Sequence, residues 1–444
     1  MNTPSATPQP DVAAAPSSPT GAFTPRGGFS YGLLGLPLAF VALPLYVILP
    51  NYYAREFGVP LATLGAILLG ARLFDAVIDP FLGRLSDRLF ADSASAVLRL
   101  GALAAVVLAI GFTLLFFPLV TGPTALAAWA AVVLVVTYAA YSALSVSHQS
   151  WGAMLGGDES QRSRVVAWRE GLGLVGVVLA SITPVALGLP VTTALFFIAL
   201  TLGWLAWTRA PRPVAAARAA QARSHIGAAN VMWRPFEQTA FRALLGVFLL
   251  NGIASAVPAT LVLFFIQDRL QAPQNMEPLF LAAYFVCAAL SIPLWLAIVK
   301  RLGLARSWLV GMCLAIVVFA WATQLGAGDT TAFLVVCALS GVALGTDLAL
   351  PGAMLAGVIQ KAGQSGQLEG AYFGWWNFAT KLNLALAAGL ALPLLGVFGY
   401  APGARGTGAL DALTIAYCVL PCVLKLAAAA CLYVFIIKKT ESSS

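Results

Sequence analysis

The sequence predicts an all-α membrane protein whose twelve transmembrane helices form two halves of six. Apolar residues make up 60% of its 444 residues and charged residues only 9%, whereas about a quarter of a typical soluble domain is charged. Apolar runs recur along nearly the whole chain, with the length of about 20 residues that a helix needs to cross a bilayer. One long polar interruption, residues 208–240, separates six of these runs from the other six.

The apolar runs place the N-terminal half at 29–207 and the C-terminal half at 241–437, with a cytoplasmic loop at 208–240 between them. Residues 1–28 are rich in Pro, Ala, Ser and Thr, so we predict a disordered cytoplasmic N-terminus, and 438–444 are predicted to be a cytoplasmic tail. The predicted helices span residues 29–50, 61–82, 96–118, 124–150, 164–186, 190–207, 241–266, 278–299, 306–325, 331–359, 369–398 and 411–437.

Two observations support a repeat of six helices. The segment GRLSDR at 83–88 follows the second predicted helix, and KRLGLAR at 300–306 follows the eighth, which is the matching position in the other half. Helices five and eleven each carry a cation on an apolar background, Arg169 and Lys381. Two repeated halves are typical of transporters with a binding site between them, near the middle of the membrane.

The cations are distributed unevenly over this map. Of the 25 lysines and arginines, nineteen fall on one predicted side and only Arg55, Arg269 and Arg405 on the other, while Arg72, Lys381 and Lys425 lie inside helices. Because cytoplasmic loops carry the excess of Lys and Arg, both termini and the central loop are predicted to be cytoplasmic, at the inner membrane. The net charge of +8 therefore indicates topology, and no nucleic-acid partner is expected.

Several classes of protein are disfavoured. There are two histidines, His148 and His225, with no nucleophile–base or metal-ligand spacing, and no phosphate-binding loop motif, so we expect neither an enzyme nor a cofactor. The six cysteines all fall in apolar runs, which argues against a disulfide framework. An ion channel needs a pore-lining ring, usually from several subunits. A monomeric carrier in the lipid bilayer fits better.

The stretch ARLFDAVIDP at 71–80 places three charges within a predicted membrane helix. At 100° per residue, Arg72, Asp75 and Asp79 share a 60° arc. A charge at bilayer depth costs at least ~2.5–3.5 kcal/mol, so such residues are functional candidates. Two carboxylates one turn apart can hold one cation or share one proton. Two interpretations stay open: a coupling site for H⁺ or Na⁺, or an ion pair that holds helices together.

Arg72 and several other polar residues are candidates for a solute cavity. Arg169 begins the apolar part of helix five, and Lys381 lies within helix eleven one turn after Asn377, near Trp375. His148, at the end of helix four, is a candidate proton carrier or a structural hydrogen-bond donor.

Three further features bear on the helices themselves. Asp347 precedes Pro351 by four residues, which suggests either a gate or a structural partner. Lys425 is near enough to the cytoplasmic end of its helix to snorkel. The GLGLVG stretch at 171–176 lies in a membrane helix with no preceding strand, so its glycines are interpreted as helix-packing residues and not as a nucleotide site.

The combination of ARLFDAVIDP, LEGAYFGWWNFATK, YGLLGLP and WGAM resembles the glycoside–pentoside–hexuronide:cation symporters, the melibiose-carrier branch of the major facilitator superfamily. The resemblance implies the major facilitator fold, a cation site at Asp75 and Asp79 with Na⁺ as one possible occupant, and a role for Lys381. It implies cation-coupled symport of a glycoside or related solute by alternating access. GRLSDR resembles the superfamily's loop motif, which implies a conformational role for Gly83, Asp87 and Arg88.

The chain departs from that family where sugar is bound. Leu38 and Ala39 stand where sugar-transporting members have an acidic residue in helix one, and His148 lies near a second acidic position. Ile78 replaces an asparagine that suits sodium, and Gly-Val-Ile-Gln at 357–360 replaces an acidic motif. These departures leave two alternatives open: a carrier of an amphiphile such as a lysophospholipid, or a proton-coupled exporter.

Overall fold

The structure is a computed structural model that describes residues 23–59, 61–213, 232–273, 276–397, 400 and 403–438. The regular elements in these ranges are helices. The predictions for residues 1–22, for most of the central loop (214–231) and for the tail beyond Lys438 lie outside the described residues.

The N-terminal half makes six crossings of the bundle. The first consists of three short helices joined through a π-helical turn at Pro44–Ile48, and the last two form one chain of helix that bends at Gly188, where φ is 79°. The helices are α1 (Pro25–Gly32), α2 (Gly35–Leu43), α3 (Leu49–Phe57), α4 (Leu61–Asp92), α5 (Ala94–Phe116), α6 (Pro123–Met154) and α7 (Glu159–Thr208).

The C-terminal half also makes six crossings. Its second and third crossings form one chain of helix that bends at Gly303, where φ is 76°, and its last crossing is two helices joined through a π-helical turn at Ile415–Val419. Only glycine adopts such a positive φ without strain, which explains the residue at both bends. The helices are α8 (Thr239–Phe264), α9 (Glu277–Ala322), α10 (Thr330–Lys361), α11 (Glu369–Val397), α12 (Thr407–Thr414) and α13 (Leu420–Leu432).

The described helices therefore confirm the predicted twelve crossings in two halves, but several boundaries differ. Nine described helices are long and apolar enough to cross a membrane, and one of them, Glu277–Ala322, is long enough to cross twice. The first helix begins at Pro25 because Thr24 Oγ1 caps it by accepting from the amide of Gly27 at 3.1 Å. Part of the segment predicted to be disordered is thus helical, with Gly28 packed against Trp168.

The two halves contact each other on the side of the bundle where Arg88, Arg162, Lys361 and Lys438 lie, called here the basic side. Helix α11 packs on α4 and α6, while α7 packs on α9 and α10. Three sets of hydrogen bonds cross between the halves near this side. They run from the amides of Gly370 and Ala371 to Asp87 (2.5 and 2.8 Å), from Arg162 to Gln360 (2.7 Å) and from the amide of Leu304 to Glu159 (2.9 Å). The bundle is closed on the basic side.

Glycines bring α4 and α11 into backbone contact at this closure. A Cβ atom built on Gly83 would lie 1.9 Å from the carbonyl oxygen of Gly370, and one on Gly374 would lie 2.7 Å from that of Asp79. The GLGLVG stretch behaves similarly, since a Cβ on Gly176 would lie 2.1 Å from the carbonyl oxygen of Leu36. This supports its interpretation as a packing motif.

We predict that Gly83→Ala lowers the melting temperature of the purified protein, because the added methyl group would overpack a backbone contact at a cost of about 1–3 kcal/mol. Gly70→Ala on the same helix is the matched control, since a Cβ there meets nothing within 4 Å. Alanine favours helix over glycine by roughly 0.8–1.0 kcal/mol, so the control should keep or raise the melting temperature. Equal losses in both variants would contradict the close contact.

Candidate functional site

Three charged side chains and one hydroxyl meet between α4, α6 and α11, and this group is called the ion cluster: Asp75, Asp79, Ser142 and Lys381. Lys381 Nζ lies 2.7 Å from Asp75 Oδ2 and 2.7 Å from Asp79 Oδ2. It also donates to Ser142 Oγ at 2.8 Å and to the backbone oxygen of Asp75 at 3.2 Å. Ser142 in turn donates to Asp75 Oδ1 at 2.6 Å. The two carboxylates belong to the N-terminal half and the ammonium to the other.

The ion cluster is buried and carries an unequal number of charges. Asp75 is 2% exposed and Asp79 0%, while the Lys381 side chain is 20% exposed. One ammonium between two carboxylates leaves one formal negative charge. Asp79 Oδ1 has no hydrogen-bond partner among the described residues. A buried charge of this kind is costly unless a cation or proton compensates it.

Arg72 occupies a different place from the one its spacing predicted. It precedes Asp75 by less than one turn, but its side chain is exposed and lies beside Tyr138 of α6. The two aspartates instead point to Lys381. Of the three residues predicted to share one face, only the two aspartates therefore belong to the ion cluster. Their cationic partner, Lys381, comes from the other half of the chain.

His148 is not positioned to line a solute cavity. Its side chain is 0% exposed, and Nε2 lies 2.8 Å from the backbone oxygen of Tyr31. Its ring stacks on that of Tyr31 at 4.3 Å and meets Trp207 edge-on at 5.4 Å. This geometry supports the interpretation of His148 as a structural hydrogen-bonding residue.

The remaining predicted cavity residues are scattered. Arg169 forms an ion pair with Glu170 and lies near Tyr31. Trp375 donates to the backbone oxygen of Met232 at 2.8 Å and packs against the rings of Trp233 and Phe236 on the basic side, so it is part of a packing contact. Asn377 is half-buried on α11, one turn before Lys381.

A second group of charged and polar residues lies inside the C-terminal half. Asp347 Oδ1 accepts from Asn251 at 2.9 Å and from Trp308 at 2.8 Å, while Oδ2 accepts from Ser255 at 3.2 Å. Lys425 Nζ lies 3.1 Å from Asp347 Oδ2 and donates to Asn251 at 2.7 Å. The expectation that Lys425 snorkels is wrong, because Lys425 is buried and pairs with the half-buried Asp347 inside the bundle.

Asn251 and Ser255 were not predicted as partners of Asp347, although their spacing of four places both on one face of an apolar helix. Asp347, Lys425 and Ser255 border a cavity of about 180 Å³, enough for one six-membered ring. Apolar and aromatic side chains form most of its wall, including those of Phe280, Tyr284, Phe285, Phe319 and Tyr417.

The residues predicted to act in conformational change take different positions. Gly83 and Asp87 lie at the contact of α4 with α11, where Asp87 caps the start of α11 through the amides of Gly370 and Ala371. Arg88 is exposed on the basic side. Asp347 lies away from this contact, in the group described above.

A sodium ion at Asp75 and Asp79 would depend on other oxygen atoms for its remaining ligands. Within the described ranges, no group of three or more His, Cys, Asp or Glu side chains is placed to hold a metal ion. Ser142 Oγ and the backbone oxygen of Asp75 already contact Lys381, and hard cations accept such oxygens. A proton needs only one carboxylate, so the residues present suit H⁺ directly and Na⁺ if Lys381 moves away.

Comparisons with known proteins agree with this architecture. A comparison with curated proteins finds no match to the sequence. The bundle is similar to a bacterial homologue of the iron transporter ferroportin in an outward-facing state, with a TM-score of 0.68 and 16% identity over 92% of this chain and 98% of that chain. It is also similar to the E. coli fucose:proton symporter, with a TM-score of 0.63 and 13% identity over 91% and 97% of the two chains.

At such identities the likeness to solved structures is one of fold. The family described as MFS/sugar transport protein matches residues 28–439, which include the ion cluster and both halves of the bundle. The chain therefore belongs to the MFS/sugar transport protein family, with the fold of major facilitator superfamily transporters.

Proposed function

We propose that this protein is a secondary transporter that couples a cation, H⁺ or Na⁺, to the movement of a small organic solute by alternating access. The observation that carries the proposal is the ion cluster, in which Lys381 of one half bridges Asp75 and Asp79 of the other at 2.7 Å each. The cluster lacks one positive charge, so it can take up one monovalent cation.

The coupling follows from competition for the two carboxylates. A cation that binds Asp75 or Asp79 weakens the attraction that holds Lys381, and the ion pair between the halves then contributes less to closure of the basic side. A ligand shifts such an equilibrium only by its different affinity for the two arrangements. Here the difference comes from Lys381, which contacts the carboxylates when the basic side is closed.

Glycosides and related solutes are the first candidates for cargo. The matched family is described as sugar transport, and one similar fold belongs to a fucose:proton symporter. An amphiphile is the second candidate, because the cavity beside Asp347 is mainly apolar and Ala39 supplies no carboxylate at the predicted sugar-ligand position. We further propose a monomer in the inner membrane with both termini cytoplasmic.

Cation binding can be tested without knowing the solute. We expect the melting temperature of the wild-type protein to rise when Na⁺ replaces choline at constant ionic strength, if Na⁺ is the coupling ion. If H⁺ is the coupling ion, we expect it to rise as the pH is lowered. Asp79→Asn should lose this response because it removes the uncompensated charge. Asp411→Asn removes an exposed carboxylate (67% exposed) and should respond like wild type. A full response in Asp79→Asn would exclude the ion cluster as the coupling site.

The cargo can be identified by a thermal-shift screen of glycosides, hexuronides, organic acids and lysophospholipids. A ligand at 100 times its Kd adds about 2.7 kcal/mol of stability, which is readily measured. A glycoside that stabilises the protein, and is accumulated by proteoliposomes only with an intact Asp79, would confirm symport. Stabilisation by lysophospholipids alone would instead favour the amphiphile carrier.

A further inference from the structure

A large cavity on the basic side, called here the basic cavity, has no role in the proposed transport cycle. Its volume is about 910 Å³, at the upper end of the range of roughly 300–1,000 Å³ typical of ligand sites. Four cations border it, Arg162, Arg306, Lys361 and Lys438, against one acidic residue, Glu159. The carboxylate of Glu159 is already bonded to the amide of Leu304 at 2.9 Å. The cavity is therefore suited to an anion.

Arg162 places a largely buried guanidinium in the wall of the basic cavity. The residue is 9% exposed, and its NH1 donates to the backbone oxygen of Gly157 and to Gln360 Oε1, both at 2.7 Å. Its Nε has no hydrogen-bond partner among the described residues. Gly357 allows this approach, since a Cβ there would lie 3.0 Å from NH2. An arginine held this way is preorganised for a phosphate group.

Most of the remaining wall is apolar and extends to exposed side chains of the last membrane crossing. Leu302, Val434 and Phe435 border the basic cavity and are 42%, 51% and 58% exposed. Residues 434 and 435 belong to the last candidate membrane crossing, so we infer that their exposed faces lie against lipid. A soluble phosphate would contact only the cationic side chains of the cavity. A phospholipid uses both parts, with its headgroup among the cations and an acyl chain along Val434 and Phe435.

The basic cavity also joins the two halves. Glu159 and Arg162 come from α7 of the N-terminal half, whereas Arg306, Lys361 and Lys438 come from the C-terminal half. An anion between them would hold the halves together. We propose that the basic cavity binds the headgroup of an anionic phospholipid and that this binding stabilises the arrangement closed on the basic side.

The test uses the full-length protein with phosphatidylglycerol or phosphatidylcholine. We expect phosphatidylglycerol to raise the melting temperature and to remain bound in native mass spectrometry. The affinity of the double variant Lys361→Gln/Lys438→Gln for phosphatidylglycerol should be about thirtyfold lower than that of wild type, because two surface cations are lost. The matched control is Arg26→Gln/Arg99→Gln, which removes two exposed cations from the N-terminal half and should bind like wild type. Arg162→Lys keeps the charge but loses the planar guanidinium that pairs with phosphate, and should weaken binding.

Closure of the basic side can be measured by amide hydrogen exchange in the peptide that contains Gly370 and Ala371. The amides of these two residues donate to Asp87 in the closed arrangement. Bound phosphatidylglycerol should slow this exchange. Three results would overturn the proposal. They are equal loss of affinity in the test and control pairs, equal stabilisation by inorganic phosphate in phosphatidylcholine, and binding without any slowing of exchange.

Discussion

The arrangement of this protein depends on the pairing of Lys381 with Asp75 and Asp79. Charges in a bilayer must be compensated inside the bundle, and here the compensation crosses from one half of the chain to the other. The same ion pairs offset the free-energy cost of burying the two carboxylates and hold α4 against α11. The pairing leaves one negative charge over, and under the proposed function this excess links the stability of the closed arrangement to whether a cation occupies the cluster.

The backbone contact between α4 and α11 makes this pairing possible. Glycines at 83, 370 and 374 let the two helices approach to backbone distance, and Asp87 caps the start of α11. The cap and the ion cluster lie on the same pair of helices, two turns apart along α4. Under the proposed function, a cation that displaces Lys381 would therefore act on the same helix contact that Asp87 caps at the basic side.

The C-terminal half solves the problem of buried charge differently. Asp347 and Lys425 pair within that half, and Asn251, Ser255 and Trp308 complete the coordination of the carboxylate. This group is balanced in charge, so it has no need of a cation. The contrast explains why the ion cluster, and not the Asp347 group, is proposed for coupling, while the apolar cavity beside Asp347 is suited to part of a solute.

Apolar runs and isolated membrane charges are local signals, so the sequence was enough to predict twelve crossings, a division at 208–240 and the candidacy of Asp75, Asp79 and Lys381. Which charges meet depends on how the two halves pack, which local sequence patterns do not specify. Helical spacing grouped Arg72 with the aspartates, yet packing with the opposite half supplies Lys381 instead. Likewise His148 and Trp375 proved to be packed residues and Lys425 a paired one, since partners distant in sequence leave no trace in local periodicity.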